Sequence, residues 1–309
     1  MPITLECRLL CAATCAYDIL DDGTFTPCKP HYPAVGWVTD PPAVYVAPHA
    51  SINACLLGLI GLTSTNHADG IILAFRGTLP PTNLDIPPQV RDWLQDFEAE
   101  PVAPPTGFPP QVMVHEGFWN ALDSLWPQIV PALQALRAAN PQARLYITGH
   151  SKGGAMASLA AARLFFHEAT SADGVYIYGP PRAGNSVFVS TFPTEIPVVR
   201  YEHYLDMVPF LPPNLHHRSV FERIPALNDI FRKVTRWSYT PLGTLRYIRQ
   251  DGTVVGDTPG LSAQREKEIV RHALAGGAAD ISRAHGPWCK RFLSDGGYML
   301  GVCPTGVCP

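Results

Sequence analysis

The sequence has few charged residues and no strong excess of either sign. Asp, Glu, Lys and Arg make up only 16% of the 309 residues, and the formal net charge is −3 at pH 7. Nucleic acids and anionic membrane surfaces are usually bound by strongly basic proteins, so this composition argues against both kinds of partner. The sequence also lacks an apolar run of the roughly 20 residues that a membrane-spanning helix needs, and we therefore expect no transmembrane segment.

A basic leader is also missing from the N-terminus. Residues 9–16 are short and apolar, but Arg8 is the nearest positive charge and Glu6 lies close to it. Secretory signal peptides begin with a more basic stretch. We therefore expect a structural first helix here, and the sequence slightly favours a cytoplasmic protein over a secreted one while leaving the compartment open.

The eight cysteines are too few for a disulfide scaffold in a chain of this length. Cys7, Cys11 and Cys15 fall on one face of a predicted helix, which favours small core residues over metal ligands. Cys303 and Cys308 could close a short loop near the C-terminus. Neither has a histidine at zinc-finger spacing, and the acidic residues and histidines form no spaced ligand set, so we expect no metal and no organic cofactor.

Short apolar strands alternate with helices along the chain, without an internal repeat or a linker. This alternation predicts a single α/β domain over residues 1–309, with a mostly parallel central sheet and helices on both faces. Pro127 and Pro131 are expected to kink or split the second helix. The predicted strands lie within residues 55–62 and at 71–75, 145–148, 175–178 and 198–201, with a hairpin at 245–255; the predicted helices are 5–20, 116–138, 153–166 and 262–274.

Two segments depart from this alternation. Residues 79–112 contain nine prolines. A long proline-rich loop inside a compact domain is usually functional, so we interpret this segment as a lid or a binding loop. Residues 220–237 mix apolar and basic side chains, and they could form an inserted helical cap.

The pentapeptide Gly149-His150-Ser151-Lys152-Gly153 follows a predicted buried strand and precedes a helix that begins with small residues. This is the G-x-S-x-G pattern of a nucleophile elbow, in which a sharp strand-to-helix turn lifts the serine hydroxyl off the sheet. The flanking glycines are needed because a Cβ would collide with the neighbouring strand and helix. The pattern predicts Ser151 as a nucleophile, with His150 packed beneath the turn.

Six segments, one of which overlaps the elbow, occur in an order that resembles one known family. They cover about residues 55 to 215 and resemble the class 3, or fungal-type, triacylglycerol lipases, which have the α/β-hydrolase fold. The resemblance implies that the protein is a serine hydrolase of carboxylic esters, with acylglycerols as the expected substrate. The segments are Ala74-Phe75-Arg76-Gly77-Thr78, Asp92-Trp93-Leu94, Val114-His115-Glu116-Gly117-Phe118, Thr148-Gly149-His150-Ser151, Pro181-Arg182-Ala183-Gly184-Asn185 and Asp206-Met207-Val208-Pro209-Phe210-Leu211-Pro212.

Three features depart from that family. Lys152 stands where the family commonly has leucine after the serine, the loop after Thr78 is longer and richer in proline, and residues 220–237 look like an insertion. Feruloyl esterases, phospholipases and short-chain esterases share the same core motifs and remain alternatives. A lipase-like interaction domain without activity is a further alternative, as is acyl transfer to an alcohol.

A serine nucleophile needs a base, and the base needs an orienting acid; in α/β-hydrolases the acid precedes the histidine in the chain. Asp206 follows the strand predicted at 198–201, and the family's Asp-x-Val-Pro pattern marks the same residue. His216, His217, His272 and His285 come after it. The family's histidine lies in a late loop before an aromatic residue, which implies His285, with His272 as the next candidate.

Acyl transfer also needs hydrogen-bond donors for the oxyanion of the tetrahedral intermediate. The elbow itself supplies the backbone N–H of Lys152. The resemblance implies Thr78 as the second donor, through its N–H and its hydroxyl. The expected partner is a lipid or another ester, met in solution or at an oil–water interface.

Overall fold

The computed structural model describes residues 3–20, 22–27, 31–48, 53–62, 68–78, 100–105, 107–213, 238–275, 284–286 and 297–304. Its strands are β1 (Ala43–Val46), β2 (Ala54–Ile60), β3 (Gly70–Phe75), β4 (Pro101–Val102), β5 (Val114–His115), β6 (Arg144–His150), β7 (Gly174–Tyr178), β8 (Gly184–Asn185), β9 (Val198–His203), β10 (Tyr239–Thr240), β11 (Thr244–Ile248) and β12 (Val254–Gly256). Its α-helices are α1 (Leu5–Cys15), α2 (His31–Val35), α3 (Glu116–Ala139), α4 (Lys152–Glu168), α5 (Ser186–Ser190), α6 (Leu261–Leu274) and α7 (Gly297–Val302). Short 3-10 turns follow at Ala16–Asp18 and Val208–Phe210.

A large sheet runs in the order β1-β2-β3-β6-β7-β9-β11-β12. Its central strands, from β3 to β11, are parallel, whereas β1, β2 and β12 pair antiparallel at the two edges. The predicted mostly parallel sheet is therefore confirmed. The parallel arrangement brings the carboxyl ends of β3, β6, β7 and β9 to one edge, where sites of this fold form.

Helices cover both faces of this sheet, as predicted. Alternate side chains of β3 point to opposite faces. Ile71, Leu73 and Phe75 belong to the core under α3 and α4. Ile72 and Ala74 belong to a second core, which includes the buried residues of α1 and α7. Burial on both faces explains why β3 and β7 are almost continuously apolar in sequence.

A small antiparallel sheet, in the order β10-β8-β5-β4, lies apart from this pattern and was not predicted. Each of its strands has two residues, which is too short for a periodic signal. The hairpin predicted around Asp251-Gly252 is confirmed, since β11 pairs antiparallel with β12 and Gly252 has a φ of 82°.

The expected split of the second helix is wrong. Helix α3 runs unbroken for 24 residues through Pro127 and Pro131. Trp126, Ile129 and Leu133 of this helix are buried in the core. We attribute the continuity to this burial, which outweighs the two backbone hydrogen bonds that the prolines cannot donate.

The predicted pairing of Cys303 with Cys308 is also wrong. Cys303 forms a disulfide with Cys7, and their Cα atoms are 4.9 Å apart. The link joins α1 to the end of α7, because α7 packs on the same face of the sheet as α1. Cys11 and Cys15 are buried core residues, as predicted for this helix face.

Several predictions fall on residues outside the described ranges. These residues are 79–99, 106, 214–237 and 305–309, which include most of the proline-rich segment, all of 220–237, His216, His217 and Cys308. The lid, the helical cap and the single domain over 1–309 stay predictions. Among the described helices, none combines the length and apolarity needed to cross a bilayer.

Candidate active site

The turn between β6 and α4 has the geometry of a nucleophile elbow. Ser151 lies between the last residue of β6 and the first of α4, with φ 57° and ψ −133°. This conformation is rare for a residue with a side chain and costs on the order of 1–3 kcal/mol. The N–H of Ser151 donates to the carbonyl of Tyr178 on the neighbouring strand over 2.9 Å, and this bond holds the turn against β7.

The two flanking glycines are required by close backbone contacts. A Cβ on Gly149 would lie 2.2 Å from the carbonyl carbon and oxygen of Gly153. A Cβ on Gly153 would lie 2.3 Å from the carbonyl oxygen of Phe75, at the end of β3. These contacts confirm the steric reason inferred from sequence, and they place the start of α4 directly against the end of β3.

Ser151 itself is only 2% exposed. Among the residues that the structure describes, its hydroxyl has no hydrogen-bond partner. Buried polar groups are nearly always hydrogen-bonded, so an exception of this kind calls for a functional explanation. The hydroxyl also lies at the N-terminus of a 17-residue helix, where negative charge is stabilised.

Asp206 and His285 lie in contact although they are far apart in sequence. The Nδ1–H of His285 donates to Oδ2 of Asp206 over 2.8 Å, and Asp206 is fully buried. The other carboxylate oxygen accepts the N–H of Val208 over 2.9 Å. The hydroxyl of Tyr298 also donates to Oδ2. With its Nδ1 proton committed to Asp206, neutral His285 has its lone pair on Nε2, as a general base requires.

The elements that carry these residues explain why they meet. Asp206 follows β9, and its N–H donates to the carbonyl of His203 over 2.7 Å in a tight turn. His285 lies in the short described segment 284–286. His272, the next candidate in the sequence, lies within α6. The structure therefore pairs Asp206 with His285, the histidine that the sequence analysis preferred.

His150 is buried beside His285 rather than exposed as a base. Its ring lies 4.6 Å from that of His285, centroid to centroid. Its Nε2 is 2.7 Å from the carbonyl oxygen of His285, and its Nδ1 is 2.8 Å from the hydroxyl of Tyr17. Burial lowers the pKa of His150 well below its ordinary value, and the neighbouring His285 lowers it further. His150 is therefore neutral at pH 7, with its proton on Nε2.

Both predicted oxyanion residues lie at the same edge of the sheet as Ser151. Thr78 follows β3, and a Cβ on its neighbour Gly77 would lie 2.7 Å from the carbonyl oxygen of His150. Lys152 is the first residue of α4, and its ammonium donates to Oδ1 of Asn53 over 2.6 Å. Their roles as oxyanion donors stay predictions.

Three residues of the site were missed in the sequence: Tyr17, His203 and Tyr298. Tyr17 bonds to His150, His203 bonds to the carbonyl of Ala284, and Tyr298 bonds to Asp206. Their positions in the chain carry no motif or spacing that points to Ser151. The packing of three elements brings them to the site: the 3-10 turn after α1 for Tyr17, β9 for His203 and α7 for Tyr298.

The fold and this site together define an α/β-hydrolase, because a serine elbow follows a central parallel strand and an aspartate and a histidine follow it in order. Solved lipase structures share the architecture. A triacylglycerol lipase whose catalytic centre is formed by a serine protease triad has a TM-score of 0.62 and 20% identity, covering 84% of this chain and 87% of that one. A lipase from Rhizopus microsporus var. chinensis has a TM-score of 0.57 and 22% identity, covering 79% and 73%.

Residues 72–216 match the family described as Lipase (class 3). The matched segment, a little under half of the 309 residues, resembles that family and includes Thr78, Ser151 and Asp206 but ends before His285. Secreted mono- and diacylglycerol lipase A of Penicillium cyclopium is 33% identical over 155 residues, which are 50% of this chain and 46% of that protein. A lipase of Rhizomucor miehei is 31% identical over 149 residues, which are 46% of this chain and 38% of that protein. The chain thus spans about half the length, or less, of these curated relatives.

Proposed function

We propose that this protein hydrolyses the carboxylic esters of acylglycerols, with Ser151 as nucleophile, His285 as general base and Asp206 as the orienting acid. The single observation that carries the proposal is the 2.8 Å hydrogen bond between His285 and the buried Asp206, beside a strained serine elbow. The hydrogen bond between His285 and Asp206 could form without a strained serine nearby, so it does not explain the costly conformation of Ser151. Catalysis by a triad explains both features.

The reaction proceeds in two acyl transfers. Oγ of Ser151 forms a bond to the ester carbonyl carbon while Nε2 of His285 takes the hydroxyl proton. The carbonyl electron pair moves onto the oxygen, and the N–H groups of Thr78 and Lys152 donate hydrogen bonds to this oxyanion, each contributing about 3 kcal/mol. The ester C–O bond then breaks, and His285 returns the proton to the leaving alcohol.

Water completes the cycle by the same route. It gives a proton to His285 as its oxygen bonds to the acyl carbon, and the bond to Ser151 breaks with return of that proton to the serine. Asp206 remains a carboxylate throughout and stabilises the imidazolium. Hydrogen bonds from the N–H of Val208 and the hydroxyl of Tyr298 hold this carboxylate in place beside His285.

The assignment of the nucleophile is tested by comparing two buried serines of the same region. Ser151→Ala should lower kcat on p-nitrophenyl esters by at least about a thousandfold and abolish labelling by a fluorophosphonate probe. Ser158→Ala is the matched control, because Ser158 is also 2% exposed and bonds within α4 to the carbonyl of Gly154. Equal activity in the two variants would remove Ser151 from the mechanism.

The substrate is tested with purified protein and defined esters. Mono-, di- and triacylglycerols should be hydrolysed faster than feruloyl esters and phospholipids of matched concentration. A preference for either of the latter would correct the substrate class while leaving the triad intact. A folded protein that neither hydrolyses any ester nor reacts with the probe would instead be a lipase-like domain without activity.

Because Ser151 is 2% exposed, an ester reaches its hydroxyl only after whatever covers it has moved. We infer that an oil–water interface favours this opening. The rate should then rise abruptly when the substrate concentration exceeds its solubility. Simple saturation with dissolved ester, without such a rise, would contradict the inference.

A further inference from the structure

Three consecutive backbone carbonyls around His285 each accept a hydrogen bond from another part of the chain. The carbonyl of Ala284 is 2.9 Å from Nδ1 of His203, and that of His285 is 2.7 Å from Nε2 of His150. The carbonyl of Gly286 accepts the N–H of Tyr298 over 3.4 Å. We call the two imidazoles of His150 and His203, with the N–H of Tyr298, the carbonyl clamp.

The carbonyls set the proton positions on both imidazoles. A carbonyl oxygen can only accept, so Nε2 of His150 and Nδ1 of His203 must each carry a hydrogen. Nδ1 of His150 is then an acceptor, and the hydroxyl of Tyr17, 2.8 Å away, donates to it. Burial raises the pKa of Tyr17 above its ordinary value, so this donor keeps its proton.

Each histidine of the clamp is tied by the backbone to another residue of the proposed triad. His150 immediately precedes Ser151 at the end of β6. His203 ends β9, and its carbonyl accepts the N–H of Asp206. Through these hydrogen bonds, the clamp fixes the backbone of His285 relative to Ser151 and Asp206, the two residues with which the His285 ring must align.

Tyr298 packs between the two imidazoles and joins them to Asp206. Its ring centroid lies 5.6 Å from that of His150 and 5.6 Å from that of His203. Its hydroxyl donates to Asp206 and accepts a hydrogen bond from the backbone N–H of His203 over 3.2 Å. Both imidazoles are at most 3% exposed, so water does not compete for these bonds.

We propose that His150 and His203 are positioning residues that hold the backbone of His285 through their ring N–H groups, with Tyr17 selecting the required tautomer of His150. The proposal rests on the proposed ester hydrolysis. His285 does not lie on a strand of the sheet, so its position depends on contacts such as these. A displacement of about 1 Å in a reacting group can cost about a hundredfold in rate. Neutral His150 also adds no positive charge beside the imidazolium that His285 becomes.

The test uses pairs of variants that keep or remove one donor. His150→Gln and His203→Asn retain an N–H near the original ring nitrogen, whereas His150→Met and His203→Leu do not. The Met and Leu variants should lower kcat by about a hundredfold, with KM within about twofold, and the Gln and Asn variants should recover most of this loss.

Tyr17→Phe tests the tautomer without removing an imidazole. It should lower kcat by about tenfold, and by much less when His150 is already Gln, since no tautomer then remains to select. Tyr247→Phe is the matched control, because Tyr247 is also buried and its hydroxyl donates to a backbone carbonyl, that of Tyr204, over 3.4 Å. This control should keep the wild-type kcat.

The outcomes separate this proposal from the proposed function. If the wild-type protein hydrolyses esters but folded Met and Leu variants keep its kcat, the clamp is wrong and the function stands. If the wild-type protein has no activity, the proposed function fails, and ¹⁵N NMR of the histidines decides on the clamp. Slowly exchanging protons on Nε2 of His150 and Nδ1 of His203 are expected, and their absence overturns it. Should the Met or Leu variants not fold, Tyr17→Phe and the NMR decide.

Discussion

Removing the disulfide between Cys7 and Cys303 should destabilise the protein more than any ordinary core substitution of similar size. The bond closes a loop of 296 residues. For a loop of that length the chain-entropy relation gives about 5.7 kcal/mol at 25 °C, which exceeds the roughly 2–5 kcal/mol measured for native disulfides. We therefore expect the double variant Cys7→Ala/Cys303→Ala to lose about 4–5 kcal/mol of the free energy of unfolding.

The assay is urea denaturation at 25 °C of the oxidised wild-type protein, the double variant and Cys11→Ala. Cys11 is the matched control because it lies one turn further along α1 and is fully buried, but does not take part in the disulfide. Its replacement should cost about 1 kcal/mol through lost packing. A double variant that loses no more than this control would refute the reasoning, as would peptide mapping that links Cys303 to Cys308.

The same perturbation should reach the active site through α7. This helix ends beside Cys303 and carries Tyr298, which donates to Asp206 and to the carbonyl of Gly286. Without the covalent link to α1, α7 is held less firmly, and both hydrogen bonds of Tyr298 should weaken. Ester hydrolysis by the double variant should therefore fail at a lower temperature than hydrolysis by Cys11→Ala.

Two further predictions concern stability. Gly153→Ala should cost about 3 kcal/mol, because its Cβ would lie 2.3 Å from a backbone oxygen, whereas Gly256→Ala meets no atom within 4 Å and should cost little; equal denaturation midpoints would contradict this. Burial alone would raise the pKa of Glu202, but Arg265 and Arg200 outweigh it and lower the pKa to about 2. Its stabilisation, roughly 3 kcal/mol at most, is present above the unfolded pKa of about 4.5 and is lost as the pH falls toward 2. The free energy of unfolding should then fall less between pH 6 and pH 3 in Glu202→Gln than in the wild-type protein, and identical slopes would exclude this ion pair as a cause of acid unfolding.

Local patterns in the sequence were sufficient for the central sheet and the elbow. The apolar runs within β3, β6 and β7 are long enough to be recognised without knowledge of their neighbours. The elbow is equally local, because the clash that excludes a side chain at Gly149 is with Gly153, within the same pentapeptide. Strands of two residues, such as β8, leave no such signal and were missed.

The sequence by itself therefore determined the parallel sheet and the position of Ser151, since these depend on periodicity and on contacts between near neighbours. The choice of Asp206 and His285 also drew on the resemblance to the lipase family. Tertiary structure alone decided that Cys303 pairs with Cys7, and that His150 and His203 hold the carbonyls beside His285. These contacts join residues 81 to 296 positions apart. Such contacts depend on the face of the sheet against which each helix packs. The spacing of residues along the chain does not indicate that packing.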